Sequence, residues 1–189
     1  MHELSNLPIP KSRQLFLIDQ IDQVSIEKLY KDILEIDEND EFLKKVYSIY
    51  NLKYEPNPIE LYIDSFGGSV YQIFGLISII EKCKTPIYTI ATGAAMSAGF
   101  LLLIHGNKRF AYKNASIMVH QVSDGSWGTY EKIKTDLKET KRLHDVIKKM
   151  IISKTNIKPE KLDKVFKSQK DWYLDVDQAI KLKIIDAIL

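Results

Sequence analysis

Ser97 lies at the centre of T-I-A-T-G-A-A-M-S-A-G-F-L, residues 89–101, between an apolar β-type run that ends at Gly93 and a helical run that begins at about Ala98. A serine at such a junction has two uses. As a helix N-cap, its hydroxyl accepts a hydrogen bond from the backbone of the first turn. As the nucleophile of a strand-to-helix elbow, it stands on a turn too tight for bulk two positions to either side, and Ala95 and Gly99 hold those two positions. The start of the following helix also presents N–H groups and a dipole that favour a developing negative charge. This stretch alone leaves both uses open.

A serine hydroxyl attacks poorly until a base takes its proton, and a third group must orient that base. Histidine suits the task near neutral pH. Of the four histidines, His2 falls in the first residues, His105 follows an apolar helix, and His144 lies on the polar side of a long helix, whereas His120 ends a strand. Strand ends are where an α/β fold collects reactive side chains. Among many carboxylates, Asp171 stands out by its setting, after a lysine-rich helix and before Trp172-Tyr173-Leu174, where the chain turns back onto the body and shields it in part. A solvated loop aspartate is the competing reading of that residue. Gly67 and Gly68 follow a strand and let the backbone approach a ligand, so that an N–H there and that of Ala98 could form an oxyanion hole, although glycine pairs also make plain turns.

The elements that must position these residues alternate. A β-type run at 14–18 is followed by a helix capped by Ser25, with Ile26, Leu29, Tyr30, Ile33 and Leu34 on its buried face. Residues 37–57, opening with D-E-N-D-E, read as an inserted excursion containing a short amphipathic helix that ends at Pro56 and Pro58. Two strand–glycine turn–helix units follow: 59–63 with 70–82, and 87–91 with 98–104. Short strands are expected at 109–112 and 116–119, and a helix from Thr129 to about Ser153 with Tyr130, Ile133, Leu137, Leu143, Ile147, Met150 and Ile151 along one side. A short helix at 159–165, a capping box at Asp175–Gln178 and a closing strand at 184–188 complete a mixed α/β pattern without repeats. The chain reads as a single domain over 1–189 with an extended arm at 1–12.

Bulk properties narrow the chemistry. The 189 residues, 45% hydrophobic and 28% charged, suit one globular core, and a net charge of +2 leaves no nucleic-acid footprint. A single cysteine, Cys83, excludes an internal disulfide, and the absence of a Cys-x-x-Cys pair argues against structural zinc. With neither a signal-peptide pattern nor a membrane-length apolar run, a cytoplasmic location is expected.

Taken in order, four stretches resemble the proteolytic subunit of the ATP-dependent Clp protease over almost the whole chain. Ile63-Asp64-Ser65-Phe66-Gly67-Gly68 is similar to its I-N-S-P-G-G turn, and Gly93-Ala94-Ala95-Met96-Ser97-Ala98-Gly99 to its G-x-A-A-S-M-G serine turn. Met118-Val119-His120-Gln121 is similar to its M-I-H-Q-P strand, and Lys170-Asp171-Trp172-Tyr173 through Ile185-Asp186 to its ending. The resemblance implies a ββα superhelix shared with crotonases, with Ser97 as nucleophile, His120 as base and Asp171 as orienting carboxylate. It implies oxyanion donors at the Gly68 and Ala98 backbone. Two stacked heptameric rings, a tetradecamer, would enclose the sites, joined through a handle at 121–153 whose strand receives substrate by β-augmentation. No G-x-x-x-x-G-K-[ST] loop is present, so ATP would be used by a partner AAA+ Clp-type unfoldase and no cofactor bound by this chain.

The departures from that pattern are local. Met96 and Ala98 change the residues around the serine, but a backbone donor survives a side-chain change. Val122 stands where the family has proline, and Gln169-Lys170 replaces an acidic residue and arginine that resemble a ring-to-ring ion-pair sensor. The arm is shorter than the family's axial loops and 37–57 is longer than the equivalent connection. Phe66 in place of proline, with the compact form, is similar to bacteriophage-encoded members. The leading expectation is a serine endopeptidase acting on peptides and unfolded proteins. The competing ones are a catalytically silent ring subunit, against which the intact Ser97, His120 and Asp171 speak, and a phage capsid-maturation protease, which differs only in substrate. A crotonase-type acyl-CoA enzyme does not need this serine and histidine.

Overall fold

Parallel strands need helical crossovers, and the alternation of apolar strands with amphipathic helices supplies them. A computed structural model of the protein describes residues 12–123 and 125–189. The expected arm at 1–12 therefore lies almost wholly outside the described residues. The sheet is built on β1 (Gln14–Leu17), β2 (Ile59–Ser65), β3 (Ile87–Met96), β4 (Lys108–Ala111) and β7 (Ala187–Ile188), adjacent in that order and parallel. Helices α1 (Gln23–Ile49), α2 (Val70–Lys82) and α3 (Ala98–Leu103) make the crossovers, and their buried faces join the strands in one core around Ile26, Ile33, Leu61, Ile77, Phe100 and Leu102. This is a mixed α/β fold built on a parallel sheet, as the alternation of strands and helices in the sequence implied.

β3 serves two sets of neighbours. Its first half, Tyr88–Ala91, pairs with β4, and its second half, Ala94–Met96, pairs with β5 (Ser116–Val119). The change of partner coincides with a local contact. The Asp64 carboxylate accepts from the Ala94 N–H at 2.7 Å, and a Cβ on Gly93 would lie 2.6 Å from Asp64 Oδ1, so a side chain there would push the carboxylate off this hydrogen bond. The register of β2 against β3 slips at the same place, between Ile63 and Ser65. The redirected half of β3 leads straight to Ser97.

Two expectations about α1 are corrected. Its N-cap is Asp22, which accepts from the Ser25 N–H at 2.8 Å, while Ser25 Oγ accepts from the Asp22 N–H at 3.0 Å. Ser25 is thus the third helical residue of a capping box, not the cap. Leu34 is exposed and Ile36 takes the buried place expected of it. The excursion at 37–57 also starts in mid-helix, because α1 continues unbroken to Ile49. Its acidic run is structural. Asp37 Oδ1 accepts from the Lys84 and Thr85 N–H groups at 2.9 and 2.8 Å, and Asp40, 3% exposed, binds Arg13, Tyr54 and Thr85. Burial opposes the charge of Asp40, but these three donors more than offset it and hold the carboxyl below its ordinary pKa.

Helix α4 (Tyr130–Lys154) begins after its Thr129 cap. Leu143, Ile147 and Ile151 bury its second half against the body, whereas Tyr130, Ile133 and Leu137 stay exposed on the first. α5 (Pro159–Ser168) then leads to a strand absent from the expected pattern, β6 (Trp172–Leu174), antiparallel to β5. The closing strand shrinks to Ala187–Ile188, since α6 (Val176–Lys181) ends in a turn at Lys183 with φ +50° and Ile184 and Ile185 pack into the core. Among the described residues no helix is long and apolar enough to cross a membrane.

Candidate active site

Ser97 occupies the turn between β3 and α3 with φ +54° and ψ −117°, a conformation that few residues other than glycine adopt. Its N–H donates to Met118 O at 3.0 Å, which fastens the turn to β5. The hydroxyl makes no capping hydrogen bond to α3. It lies instead 2.7 Å from His120 Nε2, so of the two uses open to a serine here the cap is not the one realised.

His120 is the first residue beyond β5. The antiparallel register of β5 and β6 pairs Ile117 with Leu174, Met118 with Tyr173 and Val119 with Trp172, and one further step sets His120 opposite Asp171. His120 Nδ1 and Asp171 Oδ1 are 3.6 Å apart. The Asp171 side chain is 46% exposed, between the partly shielded carboxylate and the solvated one that the sequence left open, and it stands at the start of β6, an edge strand. Tyr173 Oη points at Asp171 Oδ2 from 3.4 Å, a weak contact.

The glycine pair has a more exact division of labour than its sequence conveys. Gly67, φ +105°, is the one against the serine: a Cβ there would meet Ser97 Cβ at 2.7 Å and Met96 O at 2.9 Å. Gly68, φ +150°, is pressed against the strap after β1, where a Cβ would meet Ile21 O at 2.2 Å. Ile21 N–H donates to Gly67 O and Ser69 N–H to Ile21 O, each at 2.8 Å. The Gly68 and Ala98 N–H groups donate to no acceptor among the described residues. Both Gly68 and Ala98 line a small cavity of about 60 Å³ whose wall also includes Ser97 and His120. Its apolar side comes from Val70, Leu101, Val122, Ile147 and Ile151. Sequence reading missed that Ile147 and Ile151 face the serine, although their place on the apolar side of a long helix was the available signal.

The remaining histidines stand apart. His105 is buried, its Nδ1 2.6 Å from Leu101 O and its Nε2 without a hydrogen bond among the described residues but 3.9 Å from Glu81 Oε1, and burial lowers its pKa. His144 packs edge-on against Phe166 with ring centroids 4.8 Å apart.

A serine on a strained turn, hydrogen-bonded to a histidine that faces a carboxylate, beside two unengaged backbone N–H groups, has the parts for acyl transfer. The family model described as Clp protease matches residues 6–189, and the chain belongs to the Clp protease family, that of its proteolytic subunits. It is 33% identical over 135 residues to the ATP-dependent Clp protease proteolytic subunit 2 of Treponema pallidum (strain Nichols), covering 70% of this chain and 66% of that protein. It is 32% identical to the ATP-dependent Clp protease proteolytic subunit of Deinococcus radiodurans, covering 69% and 64%. With the proteolytic subunit of Dehalococcoides mccartyi strain BAV1 it shares 29% identity over 181 residues, covering 95% and 82%. The first two matches thus span just under two thirds of those relatives.

Proposed function

We propose that the protein is a serine endopeptidase, the proteolytic subunit of a Clp-type ATP-dependent protease that cleaves peptides and unfolded proteins within a double-ring chamber. Ser97 is the nucleophile and His120 takes its proton, then returns it to the leaving amine; Asp171 orients the imidazole and stabilises its charged form. The Gly68 and Ala98 N–H groups receive the oxyanion of the tetrahedral intermediate. The observation that carries this reading is the 2.7 Å contact between Ser97 Oγ and His120 Nε2 on a turn where the hydroxyl caps nothing.

The exposed Tyr130, Ile133 and Leu137 on the protruding half of α4 support self-association of this chain into heptameric rings and their stacking through the handle. ATP is used by an AAA+ unfoldase partner in the cytoplasm; in support, this chain carries no phosphate-binding loop, and the relatives in Treponema and Deinococcus are subunits of ATP-dependent proteases. The test is intact mass after treatment with a fluorophosphonate probe, beside Ser97→Ala. One adduct per chain, lost in the variant, is expected. An assembled ring, verified by sizing, that takes no adduct would sink the reading in favour of a silent subunit.

A further inference from the structure

A second, open cavity of about 520 Å³ adjoins the catalytic turn on the far side of the glycine pair, lined by Ile18, Asp19, Gln20, Asp64, Phe66 and Gly67 with Gly68. Ser97 and His120 do not line it. The two cavities meet at Gly68, whose N–H is aimed at the scissile carbonyl oxygen in the reading above. In that reading a peptide held by its carbonyl sets the residue on the acyl side in the smaller cavity, against Val70, Leu101 and Ile147, where attack requires a fixed geometry. Crossing the glycine pair, the portion that is cut loose reaches the second cavity, which is open enough to release it.

The walls of this second cavity are fixed before any ligand arrives. Ser65 Oγ donates to Asp19 O at 2.6 Å, and the paired backbone bonds between Ile21 and Gly67–Ser69 stitch the same two segments together. Phe66 and Ile18 stand 77% and 65% exposed and give it two apolar faces. Asp19 and Asp64 give it two carboxylates, and neither has an ion-pair partner among the described residues. Asp64 is tied to the Ala94 N–H, whereas Asp19 accepts only from the adjoining Gln20 N–H at 2.7 Å and keeps a free oxygen towards solvent. Apolar faces with an unneutralised carboxylate at the rim fit a long aliphatic stem that ends in a cation.

Resting on the peptidase reading, we propose that this cavity receives the side chain of the residue that follows the scissile bond and that Asp19 makes it select lysine or arginine there. Phe66 and Ile18 hold the stem, and a glutamate at that position meets two like charges and is disfavoured.

Cleavage sites mapped by mass spectrometry on a reduced, alkylated model protein supply a susceptible sequence. Two peptides that differ only in the residue after the cut bond, lysine or glutamate, then compete in one mixture with the assembled full-length protein. The lysine peptide is expected to be consumed about tenfold faster, and the ratio to fall towards unity in about 1 M salt. A ratio within one mixture cancels any difference in the amount of active enzyme. Asp19→Asn should lower it severalfold and Asp19→Lys should invert it. Cleavage of both peptides at equal rates by the unmodified protein, or a ratio that Asp19→Lys leaves unchanged, overturns the subsite while leaving the peptidase intact. Cleavage of nothing by rings that also refuse the fluorophosphonate overturns the peptidase reading instead.

Discussion

The Asp171 carboxylate stops 3.6 Å from His120 Nδ1, while the other nitrogen of the same ring is 2.7 Å from Ser97 Oγ. Of the two contacts in the proposed triad one is a hydrogen bond and the other is loose, and the loose one is the more solvent-exposed. Removal of Ser97 or His120 by alanine is therefore expected to lower peptide turnover by on the order of 10^6-fold, and Asp171→Ala by on the order of 10^4-fold. Single-turnover assays on folded, assembled variants measure the order. Equal losses at all three positions would mean that the carboxylate closes fully on the ring in the working enzyme.

Gly67 tests how closely the turn is built. Its φ of +105° strains any side chain, and a Cβ would press on Ser97 Cβ from 2.7 Å. Gly67→Ala should cost about 2–4 kcal/mol of stability by urea titration and should abolish fluorophosphonate labelling even at temperatures where the variant is folded. Retention of full labelling would contradict the packing.

Asp40 makes α1 acid-sensitive. Burial raises its pKa and the hydrogen bonds of Arg13, Tyr54 and Thr85 lower it further, for a net value below the ordinary 3.8. A carboxyl whose folded pKa is depressed adds stability above the unfolded pKa and loses it as pH falls through the folded one. Asp40→Asn should thus be less stable at pH 7 by about 1–3 kcal/mol, and the gap should narrow below about pH 4. Urea midpoints at several pH values give the answer; a gap that widens in acid would reverse the sign.

His105 acts in a different pH range. Burial lowers its pKa from 6.5, so the unfolded chain binds the proton more readily and stability falls as pH drops below about 6.5. His105→Gln, whatever its own offset, should remove that slope between pH 7 and 5. An unchanged slope would place the sensitivity elsewhere.

Much of the layout was legible where local periodicity and tertiary packing agree. The bounds of Val70–Lys82 and Ser116–Val119 coincide with expectation because apolar spacing, Pro86 and the glycine turns act within a few residues. The course of α1 was not legible, since its acidic run is held by Arg13, 27 residues before Asp40, and by Thr85, 45 residues after it. β6 escaped notice because three residues are too few to display an alternation, and yet its register is what brings Asp171 to His120. Ser97 and His120 were legible as a pair by resemblance; their contact follows from the pairing of Ala94–Met96 with β5, beside which Asp64 of another strand holds the Ala94 N–H.

The backbone of Ser97 is held at φ +54°, ψ −117°, which sets reactivity and durability against each other at a single atom. Glycine would occupy this turn with about 1–3 kcal/mol less strain. A chain chosen for robustness alone would carry glycine here, so a β-carbon and an oxygen at this point answer a demand other than folding. Ser97→Gly should melt later than Ser97→Ala and hydrolyse nothing.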